Sequence, residues 1–195
     1  MEIIIIDDNI KKDDPLIVRL TIEYGEENIR LFNDPEKGLQ YIKDNVIKKM
    51  IVVLDINFPN KGTSGQKILS EIRAENKLIP VIIHTARNYQ EEDFTPLIND
   101  HAWYFIQKPS DYATILRILK DAERKLKLDV ATAIEDWLDE QEDKNQVISI
   151  SSDGKKYSVN DLIAEIRMQK PEGLKLEEQI IQLTIDLIFR KKETL

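Results

Sequence analysis

Five short apolar runs, each followed by a stretch of helical period, constrain this chain more than any other feature. The runs "EIIIID", "NIRLF", "IVVLD", "PVIIHT" and "AWYFIQK" are rich in Ile, Val and aromatic residues, a composition suited to strands buried on both faces. Parallel neighbours need a crossover, and the crossover lays a helix over one face of the sheet. The pattern therefore predicts a doubly wound α/β domain in the first two thirds of the 195 residues.

Helix signals lie between the runs. Asp14 is a cap with Pro15 at the first helical position, and Gly25 marks the end of that helix. A second helix is expected from Asp34-Pro35 to about Lys48, and a third from about Ser64 to Asn76. In "EEDFTPLIND", Pro96 shortens or bends the fourth.

After Pro109 there is no Gly or Pro until Gly154, and Ile115, Leu119, Ala122, Leu126, Val130, Ile134 and Trp137 recur at steps of three or four. That period fits one long helix or two nearly continuous ones. "QVISISSDGKKYSV" then reads as a hairpin around Asp153-Gly154. Ser158 and Asp161 offer a cap for a helix that Pro171 and Gly173 are expected to end. The final helix carries Leu176, Ile180, Leu183 and Leu187 on one face and Ile181, Ile185 and Ile188 on another, which predicts burial on both sides. Such a helix points to dimerisation or an adaptor role, against the plainer alternative of a subdomain packing only on itself.

Charge and composition exclude several functions. The formal charge of -8 opposes a nucleic-acid partner, whose affinity comes largely from Lys and Arg on phosphates. The clusters "RKLK" (124–127) and "RKK" (190–192) are short and read as solvated helix faces. No cysteine is present, so thiolate metal sites and cysteine nucleophiles are ruled out. His84 and His101 are too few for a histidine metal site, and Trp103 and Trp137 are expected in the core. Apolar runs fall far short of the roughly 20 residues that span a bilayer, and "MEIIIIDD" has no basic leader. A cytoplasmic protein with no membrane partner is the expectation.

The strand ends carry the chemistry. Asp7 and Asp8 follow the first strand, Asp55 ends the third, Thr85 the fourth and Lys108 the fifth. In a parallel sheet these ends share one rim. Three carboxylates brought together repel unless a cation compensates, and the natural one is Mg²⁺, which takes oxygen ligands and phosphate oxygens together. An ammonium and a hydroxyl beside it suit a phosphoryl group.

The ordered set "IIIIDD", "VVLDINFP", "HTAR" and "FIQKP" resembles the bacterial response-regulator receiver domain over about residues 1–127. The resemblance implies a flavodoxin-like (CheY-like) five-stranded sheet in the order 2-1-3-4-5, followed here by a small α+β C-terminal module. It implies that Asp55 accepts a phosphoryl group from a sensor histidine kinase or phosphotransfer protein. Asp8, Asp55 and the Asn57 backbone carbonyl would ligate Mg²⁺, with Asp7 helping from behind. Thr85 and Lys108 would grip the phosphate, Phe105 matches the aromatic switch position, and Asn57 and Arg87 match positions that tune dephosphorylation. Such a protein is a phosphoacceptor rather than an enzyme, and it signals to an output protein.

The chain departs from that pattern in places. Gly62 and Gly65 in "PNKGTSG" suggest a loop lengthened by about two residues, and His101 stands where a Gly often precedes the fifth strand. Residues 1–127 are assigned to the receiver, 128–145 to a helical connector and 146–195 to a C-terminal module of no recognised family. Two rivals are an unphosphorylated receiver-like adaptor and a haloacid-dehalogenase-like phosphatase. The latter needs an acid where Asn57 stands.

Overall fold

In a computed structural model of the chain, residues 1–46, 48–59, 61–86 and 97–192 are described. They form two compact units, Met1–Leu126 and Lys127–Leu195. Arg87 and Pro96 lie outside the described residues.

The first unit holds β1 (Glu2–Ile6), β2 (Ile29–Phe32), β3 (Met50–Leu54), β4 (Val81–Thr85) and β5 (Tyr104–Gln107). Every neighbouring pair is parallel and the order is β2-β1-β3-β4-β5. Its helices among the described residues include α1 (Pro15–Tyr24), α2 (Pro35–Asp44), α3 (Gly65–Glu75) and α4 (Tyr112–Leu128).

Strand alternation sorts the apolar runs into two cores. Ile4, Ile6, Val52, Leu54, Val81 and Ile83 pack with Ile42 of α2 and with Ile68, Leu69 and Ile72 of α3. Ile3, Ile5, Ile51, Val53, Ile82 and Ile106 pack with Ile17 and Leu20 of α1 and with Ile115 and Leu119 of α4. Each such side chain contributes about 1.5–3 kcal/mol on burial, so runs apolar at every position are what a sheet covered on both sides requires.

Local chemistry sets the helix ends. Asp14 accepts the Leu16 N–H at 2.8 Å ahead of Pro15, and Gly25 closes α1 with φ 88°. Ser64 accepts the Lys67 N–H at 3.2 Å to start α3. The second helix stops at Asp44, short of the expected Lys48. Asn45 leaves the helical region with φ −123° and ψ 27°, and its Nδ2 donates to the Tyr41 carbonyl at 2.8 Å.

The second unit holds α5 (Val130–Asp139), the antiparallel pair β6 (Val147–Ile150) and β7 (Lys156–Ser158), α6 (Val159–Arg167) and α7 (Pro171–Lys192). Asp129 ends the continuous period by accepting the Thr132 N–H and hydroxyl at 3.1 and 2.9 Å, so a new helix starts there. The hairpin turns at Gly154, φ 85°, and Ser158 and Asp161 form a reciprocal capping box.

Three expectations are corrected here. Pro171 opens the last helix instead of ending the one before it; α6 stops at Arg167, and Gln169 turns the chain with φ 49°. Gly173 lies inside α7 and against α6, where a Cβ would sit 2.6 Å from the Glu165 carbonyl carbon. The last helix is not buried on both faces: Leu176 and Ile180 are half-buried, but Leu183 is 59% and Phe189 62% exposed. Trp137, expected in the core, is 54% exposed, while Trp103 is partly buried against the α1/α4 core.

Candidate phosphoryl site

The site is built by register. The Asp55 N–H donates to the Ile6 carbonyl at 2.9 Å and the Lys108 N–H to the Thr85 carbonyl at 2.8 Å, so the ends of β1, β3, β4 and β5 are level on one rim. The chain winds out from β1 to β2 and then back to β3. The crevice outside that reversal is where open α/β sheets take ligands.

Lys108, from the far end of the sheet, reaches both central carboxylates. Its Nζ donates to Asp7 Oδ2 and to Asp55 Oδ2, each at 2.6 Å. Asp7 and Asp55 are only 4% and 5% exposed. Burial alone would lower the Lys108 ammonium, but hydrogen bonds and charge from Asp55 and Asp7 outweigh it and hold the group above its ordinary range. The second oxygens are oriented by main chain: Asp7 Oδ1 accepts from the Asn9 and Ile10 N–H groups at 2.9 and 3.3 Å, and Asp55 Oδ1 from the Asn57 N–H at 3.1 Å.

The remaining predicted residues lie around these contacts. Asp8 is half-buried and accepts from Asn9 Nδ2 at 2.7 Å. Asn57 is exposed. Thr85 is fully buried at the end of β4, and Phe105, partly buried, packs on the α2/α3 core on the same face of the sheet. Arg87 falls outside the described residues. Gly65 explains part of the lengthened loop: its N–H donates to the Ile56 carbonyl at 2.9 Å, seating α3 directly beneath Asp55. His101 has φ 53°, the conformation a glycine adopts freely, and Arg73 ties its carbonyl down at 2.9 Å.

Charge at the rim bears on the metal. Asp7, Asp8 and Asp55 oppose one ammonium, which leaves an excess of negative charge on oxygen. Among the described residues no three acidic or histidine side chains are gathered into a metal set of their own. The donors fit a hard dication such as Mg²⁺, which takes one or two carboxylates and fills its shell with water and phosphate oxygens.

Residues 3–120 match the response regulator receiver domain family. The chain belongs to this family. A receiver domain assigns it to two-component signalling rather than to a classical enzyme class. Solved receivers share the fold. The response regulator receiver domain protein (CheY-like) of Methanospirillum hungatei is 21% identical over 65% of this chain and 96% of its own, with TM-score 0.54. The receiver domain of NtrX from Brucella abortus is 25% identical over 62% of this chain and 97% of its own, with TM-score 0.53. CheY in a CheX-CheY-BeF3-Mg complex from Borrelia burgdorferi is 26% identical over 62% and 87%, with TM-score 0.50. No curated protein matches the chain. No helix among the described residues is long and apolar enough to cross a membrane.

The receiver site also uses residues that sequence reasoning passed over. Asn33, just past β2, donates from Nδ2 to the Asp7 and Ile10 carbonyls at 2.9 and 2.6 Å and so holds the acidic loop. His84 is buried on the face of the sheet opposite Thr85, and its Nε2 shares a 2.9 Å hydrogen bond with Ser110 Oγ. Burial and then the Lys108 charge push the His84 imidazole down to about 4, so it is neutral beside the site. A histidine in an otherwise apolar strand was the available signal. Next to it opens a cleft of about 560 Å³, lined by Asp7, Arg19, His84, Lys108, Ser110 and Tyr112 among others.

Proposed function

We propose that this receiver takes a phosphoryl group on Asp55 and passes the change to a protein partner. The observation that carries this reading is Lys108 Nζ lying 2.6 Å from both Asp7 and Asp55 at the sheet rim. The donor is a phosphohistidine on a sensor kinase or phosphotransfer protein. Its P–N bond breaks, a P–O bond forms to a carboxylate oxygen of Asp55, and the electron pair leaves on the imidazole. Asp55 needs no general base, since a carboxylate is already ionised at neutral pH.

Positioning and charge do the rest of the work. Lys108 moves from bridging two carboxylates to holding a phosphate oxygen, and Thr85 supplies a hydroxyl to another. Asp8, Asp55 and the Asn57 carbonyl, with Asp7 behind them, would hold Mg²⁺, which neutralises charge on the transferring oxygens. The Borrelia CheY complex, with its BeF3 and Mg, supports this assignment by similarity. Asn57 and Arg87 tune the lifetime of the acyl phosphate.

Movement of Thr85 towards the phosphate frees space on its face of the sheet, and Phe105 on that face turns inward. Phosphorylation thus shifts a two-state equilibrium. Residues 1–127 receive the signal, and 128–145 and 146–195 relay it in the cytoplasm to an output protein or a second copy. The exposed apolar end of α7 supports the second copy.

Intact-mass measurement after incubation with acetyl phosphate and Mg²⁺ tests the reading. Wild-type protein gains one phosphoryl group and Asp55→Asn gains none. No gain in the wild type, or an undiminished gain in Asp55→Asn, would overturn it. Light scattering with and without residues 146–195 tests the dimer, which must vanish with the tail.

A further inference from the structure

Lys108 has to reach past β4 to meet Asp55 and past β4 and β3 to meet Asp7. The Lys108 N–H is fixed to the Thr85 carbonyl at 2.8 Å, and three residues later Asp111 caps α4 by accepting the Thr114 N–H at 2.9 Å. Between those anchors, Lys108, Pro109 and Ser110 line the 560 Å³ cleft, so on that flank the turn meets open space instead of packed side chains. His84 and Ser110 join across this gap. The His84 backbone is locked in the sheet opposite Ile106, the residue is 7% exposed, and its Nε2 lies 2.9 Å from Ser110 Oγ.

We propose that His84 and Ser110 form a clasp that positions Lys108 on Asp7 and Asp55. His84 touches no reacting atom. It is a positioning residue, acting through Ser110 on the turn that carries the amine. The bond has consequences because ammonium placement is sharp: donors lose most of their value within a fraction of an ångström of misplacement in a buried charged site. A histidine suits the post because it is rigid, and because in its neutral form it adds no second cation beside Lys108.

The proposal rests on the phosphoacceptor reading for its kinetic consequence but not for its geometry, and the test separates the two. In ¹⁵N-labelled protein the Lys108 ammonium gives a distinct resonance while its hydrogen bonds shelter it from exchange. Ser110→Ala and His84→Phe, the latter keeping a buried ring without the bond, are expected to broaden or erase that resonance while the thermal melt stays cooperative. His84→Gln, which retains a hydrogen-bonding group, is expected to restore it in part. Phosphoryl uptake from acetyl phosphate should slow about five- to tenfold in Ser110→Ala, and less than twofold when the same change is made in Lys108→Met.

An unchanged Lys108 resonance in both Ser110→Ala and His84→Phe would overturn the clasp whatever the kinetics. So would an equal fractional slowing in the Lys108→Met background, since the effect would then not pass through the amine. If wild-type protein takes up no phosphoryl group, the functional reading fails while the resonance still decides the clasp.

Discussion

Gly65 lies against the main chain of Asp55 so closely that a Cβ built on it would sit 2.1 Å from the Asp55 carbonyl oxygen. The first turn of α3 and the end of β3 can share this space only if residue 65 has no side chain. Gly65→Ala must therefore displace either the helix or Asp55. Overpacking of this kind costs about 1–3 kcal/mol. Urea denaturation is expected to show that loss, with phosphoryl uptake slowed at the same time; stability within error of wild type would show that the loop relaxes freely.

Lys108 is the cation that makes two buried carboxylates tolerable. Removing one partner of a buried ion pair leaves charge uncompensated, at a cost of about 3 kcal/mol. Lys108→Met should be destabilised by this order in metal-free buffer, and adding Asp7→Asn to the same chain should recover part of it. A double variant no more stable than Lys108→Met would contradict the shared-ammonium account.

Excess negative charge at the rim predicts that Mg²⁺ stabilises the fold. A ligand at a hundred times its Kd raises stability by about 2.7 kcal/mol. Thermal melts should shift upward with Mg²⁺ and return on chelation, and the shift should shrink in Asp8→Asn and Asp55→Asn. An equal shift in all three proteins would place the ion elsewhere.

His84 contributes a pH dependence of known sign. Its folded pKa is lowered to about 4 from 6.5, so between those values the unfolded chain binds a proton that the folded chain refuses. Its contribution is intact above about pH 6.5 and is lost as pH falls towards about 4, by roughly 3 kcal/mol in all. His84→Phe cannot titrate, so the difference between its stability and that of the wild type should change over this window. A constant difference from pH 7 to pH 4 would show that His84 is not held neutral.

Both hydrophobic clusters of the receiver lie within residues 1–126. A chain ending at Leu126 is expected to unfold cooperatively and to take up phosphoryl groups within about twofold of the full-length rate. Calorimetry and intact mass would check this. Loss of a cooperative transition would show that the receiver depends on the C-terminal unit.

Much of the receiver could be read directly. The five strands are legible because each run is apolar at successive positions, the pattern a doubly covered strand needs, and the signals Asp14-Pro15, Ser64 and Ser158 with Asp161 act within a few residues of the helices they start. The placement of Asp7, Asp55, Thr85 and Lys108 is legible because register sets successive strand ends on one rim, and the order of motifs along the chain then carries the geometry. Where the reading failed, two local signals competed. Pro171 is equally able to follow one helix or to open the next, and only the turn at Gln169 decides between them. The double apolar pattern of α7 states that burial is favourable, but cannot supply a neighbour to cover Leu183 and Phe189.

The amino-acid order by itself determined which segments pair as strands, which residues cap the helices and which oxygens and amine stand at strand ends. These depend on neighbours a few residues apart and on the alternation of side chains across a sheet. Tertiary structure alone decided that Lys108 bridges Asp7 and Asp55, that Gly65 must yield space to a main chain ten residues away, and that His84 meets Ser110. Those contacts join residues up to 101 positions apart, and their distances follow from how strands twist and helices pack, which no local pattern encodes.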